Sequence, residues 1–284
     1  MAPPEVTSVF GPTSESSASR LGIVAACCAL TSLLIGVVVM LGWALGETAL
    51  TQFFTSRSAM QPATAASAIL LGASILSASA RRAGLAAVIA LLAAFIAAQS
   101  LAEHLLGLDF GTDLLLFPHA VGAQPVNYTF PGRMAEPTAT SFLLVAVAVL
   151  LASGRGRRAS LMLTGCATAV LILVTIALLS HLYAVAPLAG ILSFTQVAVP
   201  TAMALGASAI GTLALRPSAG WLGLLVGSSV AATAARWLVP TVAVVPAGVG
   251  WLASRGSDVG LYPVDFRLAL TTALTVILLV ALAL

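Results

Sequence analysis

Met60-Gln61-Pro62-Ala63-Thr64-Ala65, Met134-Ala135-Glu136-Pro137-Thr138-Ala139 and Val197-Ala198-Val199-Pro200-Thr201-Ala202 are three copies of one pattern. Each opens a run of apolar and small residues that ends at arginine: Arg81-Arg82, Arg155 and Arg216-Pro217. A proline-threonine start, an apolar stretch and a basic stop describe a helix that crosses a bilayer in a set direction. Three copies in the same sense predict a bundle of helical hairpins inserted alike. Tyr262-Pro263-Val264-Asp265-Phe266 reads as a fourth, degenerate copy. In each copy the expected helix cap is the polar residue after the proline: Thr64, Thr138, Thr201 and Asp265. Its side-chain oxygen would accept a bond from an early backbone N–H, and the preceding proline would keep the incoming chain extended.

Composition excludes a soluble domain. Of the 284 residues 60% are hydrophobic and 7% charged, and the mean hydropathy is +1.09. Apolar runs long enough to cross about 30 Å of hydrocarbon recur along the chain. Lysine is absent and all 12 basic residues are arginine, which together with the abundant alanine points to a GC-rich bacterial genome. A net charge of +3 scattered over helix ends describes membrane topology, not a nucleic-acid partner. Cys27, Cys28 and Cys166 fall inside apolar runs with no metal or disulfide spacing, so they read as small buried residues.

Eight spans are expected, near 21–45, 64–80, 84–102, 138–153, 161–182, 199–215, 238–253 and 266–284. Residues 1–20 read as a disordered cytoplasmic tail, too long and too poor in basic residues for a signal peptide. Residues 21–284 form one all-α membrane bundle of three or four parallel hairpins. The uncharged segment near 218–236, with Trp221 and Trp237 at its flanks, reads as a helix lying in the interface. With the N-terminus in the cytoplasm of a bacterial inner membrane, the inner side receives Arg20, Arg81, Arg82, Arg155, Arg157, Arg158, Arg216 and Arg236. The outer side receives Arg57, Arg133, Arg255 and Arg267, so the positive-inside rule is met. Glu47, Glu103, Asp109, Asp113, Glu136, Asp258 and Asp265 then face outward.

Any chemistry has to sit in the outer loops. The longest, Glu103–Pro137, carries Glu103, His104, Asp109, Asp113, His119, Asn127, Tyr128 and Arg133, while His181 and Tyr183 lie on the next outer turn. The functional reading is a ligand-, metal- or proton-sensing pocket. The bland reading is that polar residues occupy the only aqueous positions on offer. No two histidines share ligand spacing on one helix, and no metal site is assigned. Asp109 and Asp113 at i, i+4 among leucines and phenylalanines predict a short interfacial helix over Glu103–Phe117, not a catalytic pair, since no nucleophile accompanies them. No catalytic residue is assigned, and no cofactor is named by the residues.

The stretch Leu101–Phe117, then Pro131-Gly132-Arg133-Met134-Ala135 and Thr138-Ala139-Thr140-Ser141-Phe142-Leu143-Leu144, resembles the N-terminal membrane region of bacterial sensor histidine kinases. The likeness continues through Thr195–Ala202, Arg216-Pro217-Ser218-Ala219-Gly220, Arg236-Trp237-Leu238-Val239-Pro240 and Gly260-Leu261-Tyr262-Pro263-Val264-Asp265-Phe266, over most of 60–284. In that group the region precedes PAS and kinase domains, or in some relatives a diguanylate cyclase. The pattern departs where Pro137 and Pro200 stand immediately before threonine and where Val197 and Pro200 replace methionine and histidine. No phosphoacceptor helix, nucleotide site or other output domain lies within 1–284. The resemblance implies a sensory or anchoring module, paired as a homodimer and joined to a cytoplasmic kinase or cyclase output domain. Its candidate input residues are Glu103, His104, Asp109, Asp113, Arg133 and His181. The alternatives are a small transporter or a structural subunit of a membrane complex. A carrier usually keeps ionisable groups at mid-membrane, and here every Asp, Glu and Arg falls at a span end or in a loop.

Overall fold

The computed structural model describes residues 15–53, 58–123, 131–154, 156–183, 197–216, 221–222, 225 and 229–283. Among them the regular structure is helical throughout, with no strand. The helices are α1 (Glu15–Leu45), α2 (Thr48–Gln52), α3 (Pro62–Ser79), α4 (Ala83–Leu106), α5 (Pro118–Gly122), α6 (Glu136–Ala152), α7 (Arg157–Leu182), α8 (Val199–Ala214), α9 (Val230–Asp258) and α10 (Val264–Ala283). Five segments are long and apolar enough to cross a membrane: Arg20–Leu45, Pro62–Ser79, Ala83–Leu106, Arg157–Leu182 and Ala232–Asp258. By length and composition this is a membrane protein.

Six helices close into a ring, each packed on the next: α1 on α3, α3 on α4, α4 on α6, α6 on α7, α7 on α8, and α8 back on α1. The three helices that begin with the motif, α3, α6 and α8, also touch one another across the middle. They are accordingly the most buried, with Ala65, Ala68, Leu71, Ile75, Ala139, Phe142, Val145, Ala202, Leu205 and Ala209 closed off from the surroundings. Lipid tails are as apolar as leucine, so such contacts are held by close packing and interhelical hydrogen bonds. Both are present. A Cβ on Gly72 would stand 2.6 Å from the Ala29 carbonyl oxygen, and one on Gly36 2.7 Å from that of Ala65, so α1 and α3 approach backbone to backbone. The Ser32 hydroxyl donates to the Ala68 carbonyl (3.1 Å) and accepts from Ser208 (2.9 Å), tying α1, α3 and α8 at one buried point. α4 presents Ala86, Ala90, Ala93 and Ala97 inward, and its Ala86 carbonyl accepts from Ser74 of α3 at 2.7 Å.

Several expectations are corrected. α1 begins at Glu15, so residues 15–20 are helix and not tail; a serine-alanine stretch behind an N-terminal glutamate carries no helix breaker and suits the helix dipole. Residues 1–14 lie outside the described part. Thr64, Thr138 and Thr201 are not caps. The helices open at Pro62, Glu136 and Val199, so each threonine is the third helical residue, and the capping positions Gln61, Ala135 and Ala198 make no side-chain cap bond. Proline in the first or second position explains this. It has no N–H to satisfy and its φ is already helical, so the start needs less from a cap. Asp265 likewise lies inside a helix that opens at Val264. Residues 230–236 do not belong to a separate interfacial helix; they are the first two turns of α9, which runs unbroken through Pro240 and Pro246. Residues 217–220, 223–224 and 226–228 of that stretch are outside the described part. The expected helix over Glu103–Phe117 stops at Leu106, because Gly107 takes a left-handed φ of +64° and ends it.

Candidate functional site

The site is built where α4 hands the chain to α6. Past Gly107 the helix gives way to turns and bends, and this segment meets the residues leading into α6 where Asp113 contacts Gly132 and Arg133. Gly132, at φ +86°, lies so close to the Asp113 carbonyl that a side chain there would collide with it, which brings the next residue, Arg133, under the turn. Arg133 is buried, and its guanidinium meets three carboxylates. Nε donates to Asp113 at 2.7 Å and stands 3.3 Å from Glu103 Oε2, while an Nη is 3.6 Å from Asp109. The carboxylates are graded in depth: the side chain of Glu103 is 1% exposed, that of Asp113 12% and that of Asp109 76%. Backbone amides complete the turn, Phe110 N–H donating to Glu103 Oε1 at 3.1 Å and Gly111 N–H to Asp109 at 2.9 Å. Gln99 of α4 donates to Thr112 on the same turn.

A charge this deep persists only when paired, because desolvation would otherwise expel it. The network therefore anchors the loop. Its cost is offset by ion pairing, and its outer edge at Asp109 stays open to solvent.

His104, one residue beyond Glu103, makes a second tie. Its Nε2 is 2.7 Å from the Met134 carbonyl, one residue beyond Arg133. A carbonyl only accepts, so Nε2 carries the hydrogen. Two consecutive residues of α4 thus grip two consecutive residues ahead of α6. The same grip recurs at the other motif copies. His181 at the end of α7 holds the Val197 carbonyl at 2.7 Å, and Trp43 near the end of α1 donates from its indole to the Met60 carbonyl at 2.8 Å. In all three the accepting carbonyl belongs to the first residue of the motif, and a ring N–H of the preceding long helix satisfies it.

Of the six candidate input residues, Glu103, Asp109, Asp113 and Arg133 meet in one cluster, and His104 adjoins it. His181 does not; it serves the separate junction between α7 and α8. Sequence reasoning missed Trp43 as the partner of the two histidines. Its signal was available: each long helix carries a ring N–H within its last turn, on the motif side of the bundle. Asn127 and Tyr128 lie outside the described residues. Glu103, Asp109 and Asp113 each offer an oxygen within 4.8 Å of the others, the one grouping among the described residues with donors disposed to hold a metal ion. Nothing in the cluster provides a nucleophile. Comparison of the chain with protein-family models, curated proteins and solved structures returned no match.

Proposed function

We propose that this chain is the membrane-embedded sensory module of a bacterial two-component signalling protein, with the Arg133 cluster as its input site. The observation that carries the reading is the convergence of Glu103, Asp109, Asp113 and Arg133 at one end of the bundle, with an open edge at Asp109 and a direct tie to α6 through Met134. A stimulus at such a site acts by favouring one packing of the ring over another, and it shifts the balance only by its difference in affinity for the two. No catalytic residue is assigned to the chain; phosphotransfer or cyclase chemistry belongs to a cytoplasmic output domain, and a homodimer is the working assembly.

The proposal includes eight spans in a bacterial inner membrane, N-terminus in the cytoplasm. Besides the five long helices, Glu136–Ala152, Val199–Ala214 and Phe266–Leu278 are apolar but shorter. At 17 and 16 residues, α6 and α8 reach about 24–26 Å, somewhat less than the hydrocarbon thickness. Their central position supports counting them, since α3, α6 and α8 are lined by protein. The hairpins α1–α3, α4–α6 and α7–α8, each closed by a ring N–H on the first motif carbonyl, support three parallel repeats. α9 and α10 pack on each other as a fourth. A small transporter or a structural subunit is the alternative, and the segregation of charge to the helix ends counts against a proton- or ion-coupled carrier.

The test is the intact mass of the native protein, immunopurified from its own membrane, with autophosphorylation followed in the same sample. A mass well above 28.6 kDa together with ATP-dependent labelling is expected. A mass near 28.6 kDa with no co-purifying kinase or cyclase would overturn the reading.

A further inference from the structure

We propose that an anionic phospholipid binds at the junction of α7 and α8, its headgroup on Arg157, Arg158 and Arg216 and one acyl chain along the outer face of α7. The charge comes from two neighbouring helices. Arg216, just past the end of α8, donates from Nη1 to the Ser160 hydroxyl in the first turn of α7 at 3.0 Å. Arg157 lies three residues before Ser160 and so beside it on the same side of α7. Arg158 follows, turned toward the outer face. Among the described residues none of these three guanidiniums pairs with a carboxylate; every ion pair belongs to Arg133, at the opposite end of α6. Like charges gathered without a counter-charge repel one another, so the junction favours an anion.

Below this charge the surface of α7 is apolar and open. Arg158 heads a stripe at helical spacing formed by Leu161, Met162, Gly165 and Ile172, and its three large side chains are each more than half exposed. No heavy atom lies within 4 Å of the Cβ position of Gly165, which leaves a trough in the stripe. Trp221 stands at its border, donating from the indole to the Thr168 hydroxyl, one turn beyond Gly165, at 2.9 Å. From Leu161 to Ile172 the stripe rises about 16 Å, roughly the depth of one leaflet.

The occupant has to satisfy both halves. A soluble anion matches the arginines alone. A zwitterionic lipid matches the stripe but brings a positive group to the guanidiniums. An anionic phospholipid carries the negative headgroup and the chain together. The inference requires only that α7, one of the five long apolar helices, crosses a bilayer; it does not rest on the sensory reading.

The experiment uses the full chain in phosphatidylcholine nanodiscs containing a small fraction of phosphatidylglycerol with a photoreactive acyl chain, and maps the cross-links by mass spectrometry. Cross-links are expected to concentrate between Leu161 and Ile172 and to be displaced by unlabelled phosphatidylglycerol. Added phosphatidylcholine or inorganic phosphate should not displace them. Arg157→Gln and Arg158→Gln, both at exposed positions that should not disturb folding, are each expected to weaken binding about fivefold, as loss of one cation near a charged headgroup does. Arg216→Gln should do the same, while Arg82→Gln, at the start of α4, should leave binding unchanged. Equal labelling by a photoreactive phosphatidylcholine, labelling spread evenly over the exposed helix faces, or equal affinity in Arg157→Gln and Arg158→Gln would overturn the site. Displacement by phosphate as effective as by the lipid would overturn it in favour of a soluble anion. A native protein with no attached or co-purifying kinase or cyclase that still shows this labelling would remove the signalling reading and leave the lipid site standing.

Discussion

At Arg133, burial and charge act on one side chain. The guanidinium is bonded to Asp113 and paired with Glu103, whose carboxylate has almost no contact with water. Removing one partner of such a pair leaves an uncompensated buried charge, a loss of about 3–5 kcal/mol. Arg133→Ala should therefore lower the unfolding midpoint of the detergent-solubilised protein more than any exposed arginine substitution, for example Arg82→Ala. Adding Glu103→Gln to Arg133→Ala should recover part of the loss, because the deepest charge is then gone. A thermal scan of Arg133→Ala, Glu103→Gln, the double variant and Arg82→Ala checks this, and additive effects in the double variant would mean that the two side chains do not interact. Residue spacing does not reveal this geometry. Asp109 and Asp113 look like one face of a helix, and Gly107 alone turns them into two arms around an arginine that lies 20 residues beyond Asp113.

The helices owe their order to small residues more than to caps. α1 and α3 touch through Gly36 and Gly72, where a methyl group would meet a backbone carbonyl of the neighbour. Backbone cannot move aside as a flexible side chain does, so Gly72→Ala should cost about 1–3 kcal/mol by overpacking. Gly84, near the start of α4, has open space around its Cβ position. Gly84→Ala should be neutral or stabilising by about 0.5–1 kcal/mol, since only the entropic cost of glycine is removed. Comparing the two melting midpoints in one detergent distinguishes packing from propensity. The same logic applies to α9, where Gly250 makes room for Tyr183 and Gly256 for Tyr262. The Tyr183 hydroxyl donates to the Ala247 carbonyl at 3.2 Å and links α9 to the end of α7. The threonines were misread as caps because a Pro-Thr pair has the composition of a helix start. The pattern marks the right turn of chain but not which residue faces the open amides.

For the molecule as a whole, charge is sorted by end. Glu103, Asp109, Asp113 and Arg133 lie where the motif helices begin; Arg82, Arg158 and Arg216 lie where they finish or where the next helix starts. With Cys27, Cys28 and Cys166 replaced by alanine, a cysteine at Leu115, which is 76% exposed, should react with a membrane-impermeant maleimide added outside intact cells. A cysteine at Arg82 should react only after permeabilisation. Labelling of both from one side would refute the eight-span topology. The apolar helices themselves were legible in the sequence, because a chain that enters a bilayer must satisfy every backbone group internally. Each of the eight expected segments overlaps a helix, five of which are long and apolar enough to cross a membrane; α1 starts six residues and α9 eight residues ahead of the expected position.

Sequence alone determined that this is a helical membrane protein, roughly where its helices run, and that its charged groups gather at their ends. Those properties depend on local composition and on the solvent the chain must enter. Tertiary structure alone decided that six helices close into a ring with α3, α6 and α8 inside, that Trp43, His104 and His181 do the same task at three junctions, and that Asp109 and Asp113 join Glu103 around Arg133. Each depends on which backbones approach closely and on a few glycine turns, and no periodicity in one dimension encodes the distance between segments tens of residues apart.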